Sequence, residues 1–273
     1  MKAVLASLIL LLAVTAANAA EIVYFPAQTS APLSLATSGD IVYILDAANG
    51  TLLSGNPRSG LTPVEVTGRP RGAGSDEKGQ TVVVTGDASG YKAHIFTGGR
   101  KLRSFDLKPT AKLVQITDVA IKNEIIWLLQ QTPPLVVLFG ADGAELSRSD
   151  LSSVARAPFS LALGPSGEGY VTDPIAPAVL ELNAFGQYKT THKLAGTGFT
   201  RPTGITSEVG GRLWISDTIL GEVAPFALKE KTLEKLPAPT SVTVEDPIRL
   251  SATGDALWVL SGWNAKLAKI TRK

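Results

Sequence analysis

One column of residues constrains this chain more than any other feature. Tyr43, Val84, Trp127, Tyr170, Trp214 and Trp258 follow one another at separations of 41, 43, 43, 44 and 44 residues. Each stands in a short apolar run preceded by a second apolar run and a turn, and an acid commonly follows three places later. The clearest copy is Pro202 to Asp217, Pro-Thr-Gly-Ile-Thr-Ser-Glu-Val-Gly-Gly-Arg-Leu-Trp-Ile-Ser-Asp. Short strands recurring with a period in the low forties are what one four-stranded blade per repeat produces. The column therefore predicts an all-β chain folded as a six-bladed β-propeller.

Read in order, the repeats begin near Pro32, Arg69, Gln115, Pro158, Pro202 and Pro247. Hairpin signals such as Asn49-Gly50 and Asp142-Gly143 separate the strands. The last repeat stops one strand short. Glu21 to Ala27, with Ile22-Val23-Tyr24-Phe25 at its centre, is one strand more than the first repeat needs. Placing it as the outer strand of the last blade closes the ring and removes an exposed edge.

Ahead of that strand, Lys2 is followed by an apolar run from Ala3 to Val14 and by Ala17-Asn18-Ala19. A basic start, an apolar stretch and a small-x-small pattern predict a secretory signal over residues 1–19, with cleavage before Ala20. Residues 20–273 then form a single propeller domain, placed in the periplasm or secreted. There are 26 Lys and Arg against 24 Asp and Glu. That balance argues against nucleic acid as a partner, which needs a clustered basic excess. No later stretch has the ~18 apolar residues of a membrane helix, so no stable membrane insertion is expected. The chain has no cysteine, which removes thiolate metal sites and cysteine nucleophiles; a chain of this length buries a sizeable core without disulfides.

Gly196 to Ile205, Gly-Thr-Gly-Phe-Thr-Arg-Pro-Thr-Gly-Ile, followed by Gly211-Arg212-Leu213-Trp214-Ile215-Ser216-Asp217, resembles the joint between two NHL repeats. The resemblance is sharpest over the fourth and fifth repeats, and over the second and third it rests on the period. It implies a six-bladed propeller of the exported bacterial type. Enzymes and scaffolds both use that fold, so it does not name a chemistry. Relatives so implied include zinc-dependent lyases with several histidines and metal-dependent lactonases with Glu, Asn and Asp near the axis.

Two sets of positions carry the functional expectations. Three places beyond the aromatic column stand Asp46, Asp87, Gln130, Asp173, Asp217 and Ser261. The acids among them, Asp46, Asp87, Asp173 and Asp217, read as candidate ligands for Ca²⁺ or another hard cation, or as acceptors for turn N–H groups in their own blades. Recurrence in every blade favours the turns, and no cofactor is expected. Positions at which the copies disagree are more informative. At the starts of the inner strands these are Arg69, Arg71, Asp118, Arg201 and Arg249, with Asp246 opposing, expected to line one mouth of the central funnel. Trp263, in a loop after Ser261-Gly262, is expected at the same end as an apolar contact. His94 and His192 fall on outer strands, away from the axis.

The reading that follows is a monomeric, non-catalytic platform binding a protein or peptide partner through Arg69, Arg71, Asp118, Arg201, Arg249 and Trp263. The alternative is a metal-dependent lactonase or lyase with an axial acid cluster.

Overall fold

The computed structural model describes residues 21–237 and 242–271. The expected signal segment, residues 1–19, and its cleavage site at Ala20 lie outside the described residues. Every regular element among the described residues is a β-strand. Four sheets have four strands each and a fifth has nine. The nine-stranded sheet consists of two four-stranded meanders, the first ending at Tyr188–Lys193 and the second beginning at Pro202–Ser207. One parallel bridge, Lys193 to Thr232, joins them, and the short strand Val242–Thr243 adds to Glu222–Lys229.

The strands form because β-branched and aromatic residues alternate with turn residues at short intervals. Ile125–Gln130 and Leu135–Phe139 are apolar almost throughout and largely buried, as strands covered on both faces must be. The aromatic column is core: Tyr43, Trp127, Tyr170, Trp214 and Trp258 are all buried. Glu21–Pro26 pairs antiparallel with Lys266–Thr271 in continuous register from Glu21↔Thr271 to Pro26↔Lys266. Phe25 from that strand packs against Trp258 at a centroid separation of 6.1 Å. The first described strand thus completes the sheet containing the last.

Neighbouring blades touch one another in sequence around a common axis through their inner and second strands. Ser34 Oγ donates to the Ala73 carbonyl, and Ser160 Oγ donates to Asp118. Thr172 donates to the Thr203 carbonyl and Thr203 to the Pro247 carbonyl. Thr37 and Ser251 share a 2.7 Å hydrogen bond that joins the last sheet to the first. The approach is closest beside Arg69–Ser75, where a Cβ on Gly74 would lie 2.2 Å from the Val119 carbonyl oxygen. Only glycine fits there, and that contact sets the width of the ring at this point.

Candidate active site

Five inner strands carry a register shift at the same place, between Pro32 and Ser34, Pro70 and Gly72, Ile116 and Asp118, Pro202 and Ile205, and Pro247 and Arg249. A bulge gives the strand an unpaired residue and re-aims the side chains beside it. Here Ser34, Asp118 and Arg249 stand at the shift, and each interacts beyond its own sheet. In two strands the position holds a large charged side chain, and those two define the site.

Asp118 is buried. One carboxylate oxygen accepts hydrogen bonds from Ser160 Oγ and Leu161 N, both at 2.8 Å, and the other accepts from Val119 N at 3.0 Å. Arg249 is 2% exposed. Its Nη2 donates to the Thr117 carbonyl at 2.9 Å and its Nη1 to the Ile248 carbonyl at 3.1 Å. The guanidinium carbon lies 4.1 Å from the centroid of Phe159, a cation–π stacking distance. Nε has no hydrogen-bond partner among the described residues. The bond to Thr117 joins two inner strands that are not neighbours in the ring, so the arginine crosses the axis. Burial raises the Asp118 carboxyl above the ordinary aspartate range, opposed by the charge of Arg249 and by the three hydrogen bonds. Burial depresses Arg249, opposed by Asp118, but a guanidinium keeps its proton at neutral pH.

Above this pair a cavity of about 660 Å³ opens along the axis. Asp118 and Arg249 line it together with apolar inner-strand residues such as Leu161, Ile205 and Leu250. Its rim is formed by the turns that follow the inner strands and carries Asp76, Glu77, Lys122, Glu208, Arg212 and Asp255. Lys122 pairs with Glu77 at 3.2 Å and Arg212 with Glu208 at 3.7 Å; Glu208 also accepts from Trp214 Nε1 at 2.5 Å. Burial tends to raise the Glu77 carboxyl, but its own backbone N–H and Lys122 bring it below the usual glutamate value. Burial raises Asp76, against hydrogen bonds from Gln80 N and Lys78 N. Such a site is a chamber of mixed polar and apolar lining with a buried cation and a buried carboxylate at its floor, a concave site with a few convergent polar groups of the kind that holds small molecules.

The structure brings Asp118 and Arg249 together. Arg69, Arg71, Arg201 and Trp263 do not line this cavity. Arg69 donates to the Ala47 carbonyl at 2.8 Å. Arg71, half-buried, reaches the Gly86 carbonyl at 3.4 Å. Arg201 is exposed, and its backbone N–H is held by Asp217. Trp263 is exposed in its loop. The rim residues Asp76, Glu77, Lys122, Glu208, Arg212 and Asp255 escaped the sequence reading. They lie in turns of different length and have no common column; the change of charge from one inner turn to the next was the available signal.

The recurring acids have other work. Asp173 accepts from the backbone N–H groups of Arg156, Ala157, Ile175 and Ala176 at 2.6 to 3.3 Å. Asp217 accepts from those of Thr200, Arg201, Ile219 and Leu220 at 2.6 to 3.0 Å. Asp46 accepts from Ser30, Ala48 and Asn49, and Asp87 from Ser89. Where the third repeat has Gln130, the amide accepts from Val114 N and donates to the Pro133 carbonyl. Among the described residues no three His, Asp or Glu side chains converge as a metal site would require. His94 bonds to Ser104 and Thr85, and His192 to Glu181.

No family model and no curated protein matches the chain. Solved structures do. An inactive variant of virginiamycin B lyase from Staphylococcus aureus, solved with quinupristin, is similar at 14% identity and a TM-score of 0.66, covering 93% of this chain and all of its own. A gluconolactonase from Xanthomonas campestris is similar at 16% identity and a TM-score of 0.69, covering 92% of this chain and 89% of its own. A luciferin-regenerating enzyme is similar at 14% identity and a TM-score of 0.64, covering 92% and 95%. The fold is a β-propeller. The expectation of a non-catalytic binding platform is corrected by these comparisons, since the similar propellers include a lyase and a gluconolactonase. The physical reason lies in the floor of the cavity. Two of the side chains expected to present a binding mouth are buried opposite each other instead.

Proposed function

We propose that this protein is an enzyme that opens a cyclic ester in its axial cavity, in the manner of a lactonase or lyase. The observation that carries the proposal is the presence of a buried carboxylate, Asp118, and a buried guanidinium, Arg249, at the floor of one cavity. The lyase and the gluconolactonase among the similar propellers support it. We read the nine-stranded sheet as two blades, which makes six in all, with an NHL-like joint between the fourth and fifth. The leader-like residues 1–19 support export.

The chemistry follows from the two charges. A lactone carbonyl near Arg249 gains negative charge on its oxygen as it is attacked, and N–H donors aimed at that oxygen stabilise the charge; one such donor is typically worth ~10²–10³ in rate. Asp118 takes the proton from the attacking water, a general-base step worth ~10²–10⁴. The tetrahedral adduct then collapses with cleavage of the ring C–O bond. Asp118 returns its proton to the departing alkoxide, and the product is a hydroxy acid. Burial of both groups reduces solvent screening, which strengthens both interactions.

The test is a panel of five- and six-membered lactones and cyclic depsipeptides followed by proton release and mass spectrometry. Wild-type protein is expected to open at least one ring class, giving either the hydroxy acid or an eliminated acid. Asp118→Asn is expected to lower that rate by ~10² or more. No turnover of any cyclic ester, or equal turnover by both proteins, overturns the proposal.

A further inference from the structure

We infer that the fixed positive charge at the reacting centre is Arg249 rather than a divalent metal ion, so that the site works without one. For its chemistry this rests on the ring-opening function proposed above, but the claim about the cation is separate and can fail by itself.

The metal-dependent lactonases and lyases implied by the sequence resemblance need several hard or imidazole donors converging near the axis. This chain's donors do not fit that requirement. Among the described residues Asp118 is the one carboxylate at the cavity floor. Hydrogen bonds from Ser160 Oγ, Leu161 N and Val119 N leave it about one free acceptor site, enough to take a proton from water but not to supply a metal's ligand set. Both histidines are bonded within outer strands, and the four recurring aspartates are engaged by turn donors in their own segments. The rim acids Glu77 and Glu208 face Lys122 and Arg212.

What stands at the axis is a cation supplied by the chain. Arg249 crosses to Thr117 and stacks on Phe159, and these contacts fix the guanidinium plane. A second cation beside it would be repelled in a medium of low dielectric. The guanidinium has donors to spare: Nη1 and Nη2 each make one recorded bond, and the buried Nε makes none among the described residues. An arginine fork is suited to a carbonyl, carboxylate or developing oxyanion, which it meets through planar, charge-assisted hydrogen bonds. Metal-dependent and arginine-dependent sites differ in a measurable way, because only the first responds to chelation.

The experiment combines calorimetry with kinetics. Wild-type protein is dialysed against EDTA, then titrated separately with Ca²⁺, Mg²⁺, Mn²⁺ and Zn²⁺ while Tm is followed. No saturable binding at the axial site is expected up to ~1 mM, a range that covers extracellular calcium modules as well as cytosolic sensors and buffers. Turnover of the cyclic ester is expected to be unchanged by EDTA. Arg249→Met and Arg249→Lys should both lose ~10² or more in kcat, the lysine variant because it keeps the charge but not the fork. Saturable binding of any of these ions that Asp118→Asn abolishes overturns the inference. So does turnover lost to EDTA and restored by metal, a result that leaves the ring-opening function standing. If no cyclic ester is turned over, the function fails, and the metal titration of wild-type protein still decides the inference. Should the Arg249 variants fail to fold, wild-type titration and EDTA-treated turnover decide it alone.

Discussion

Asp217 and Asp118 are both buried aspartates on strands of the same ring, and they do opposite jobs. Asp217 belongs to a set that recurs around the propeller, at the end of the second strand. Its two oxygens are occupied by four backbone N–H groups from the turns on either side. Asp118 occurs once. It stands at the inner-strand bulge, reaches the neighbouring blade through Ser160 and Leu161, and faces Arg249 across the axis. The recurring acid builds the scaffold, because every blade has the same turn to satisfy. The singular acid makes no contribution that the other blades need, since Ser34, Gly72 and Gly204 fill the equivalent position without charge. Repetition marks what the fold requires, and exceptions to it mark where chemistry has been added.

The comparison breaks most visibly at Arg249. Asp118 and Arg249 are both buried, and each charge favours the charged form of the other without a direct salt bridge; leaving a buried charge uncompensated costs about 3–5 kcal/mol. Arg249→Ala is expected to lower stability by that order in denaturant melts. The doubly neutral variant Asp118→Asn with Arg249→Met should regain a substantial part of it while remaining inactive. If the double variant is no more stable than the single, the two charges do not act on each other.

A smaller effect is expected from the scaffold side of the ring. A Cβ on Gly74 would meet the Val119 carbonyl oxygen at 2.2 Å and Ala120 Cα at 2.8 Å, all backbone, whereas one on Gly210 would meet nothing within 4 Å. Gly74→Ala should therefore destabilise by ~1–3 kcal/mol, with a shift of Asp118 because Val119 adjoins it. Gly210→Ala should leave Tm within about a degree. Equal thermal melts for the two variants would mean that the inner strands are not in close contact at this point.

The smallest expected effect is one of pH. Burial raises the Asp118 carboxyl, against Arg249. The acid limb of kcat/KM should consequently lie above the ordinary aspartate range, since this profile reports the free enzyme's base. Stability carries the matching sign. A carboxyl raised in the folded state contributes stability that is complete below the unfolded aspartate value and is lost as pH rises through the folded one. Asp118→Asn should flatten that portion of the stability curve. An acid limb at the ordinary aspartate value would indicate a base other than Asp118.

The repeat was legible in the sequence because a packed core imposes one large apolar residue per blade, aromatic in five of the six, and Tyr43, Trp127 and Trp258 can be aligned by eye. The closing strand was legible for a similar reason: one strand was spare at the start and one was lacking at the end, and Glu21–Pro26 pairs with Lys266–Thr271. Asp118 and Arg249 could be picked out as departures from their column, but their burial could not. It depends on bulges that re-aim both side chains and on Phe159 and Thr117 lying within reach, which are properties of three dimensions. The expected mouth also included Arg69, Arg71 and Arg201, neighbours in the alignment that the bulges leave away from the cavity. The rim charges at Glu77, Lys122 and Glu208 were not legible, because hairpin turns vary in length and align with nothing.

The same substitution made at the two aspartates tests the account most directly. Asp118→Asn and Asp217→Asn are compared for kcat/KM on the cyclic ester that wild-type protein opens, with Tm measured on each. Both variants should melt lower than wild type, Asp217→Asn by ~1–3 kcal/mol because an amide cannot accept four N–H bonds as a carboxylate does. Only Asp118→Asn should lower kcat/KM, by ~10² or more, while Asp217→Asn keeps the wild-type value. Equal kcat/KM in the two variants, or a loss confined to Asp217→Asn, would contradict the assignment of the axial pair as the active site.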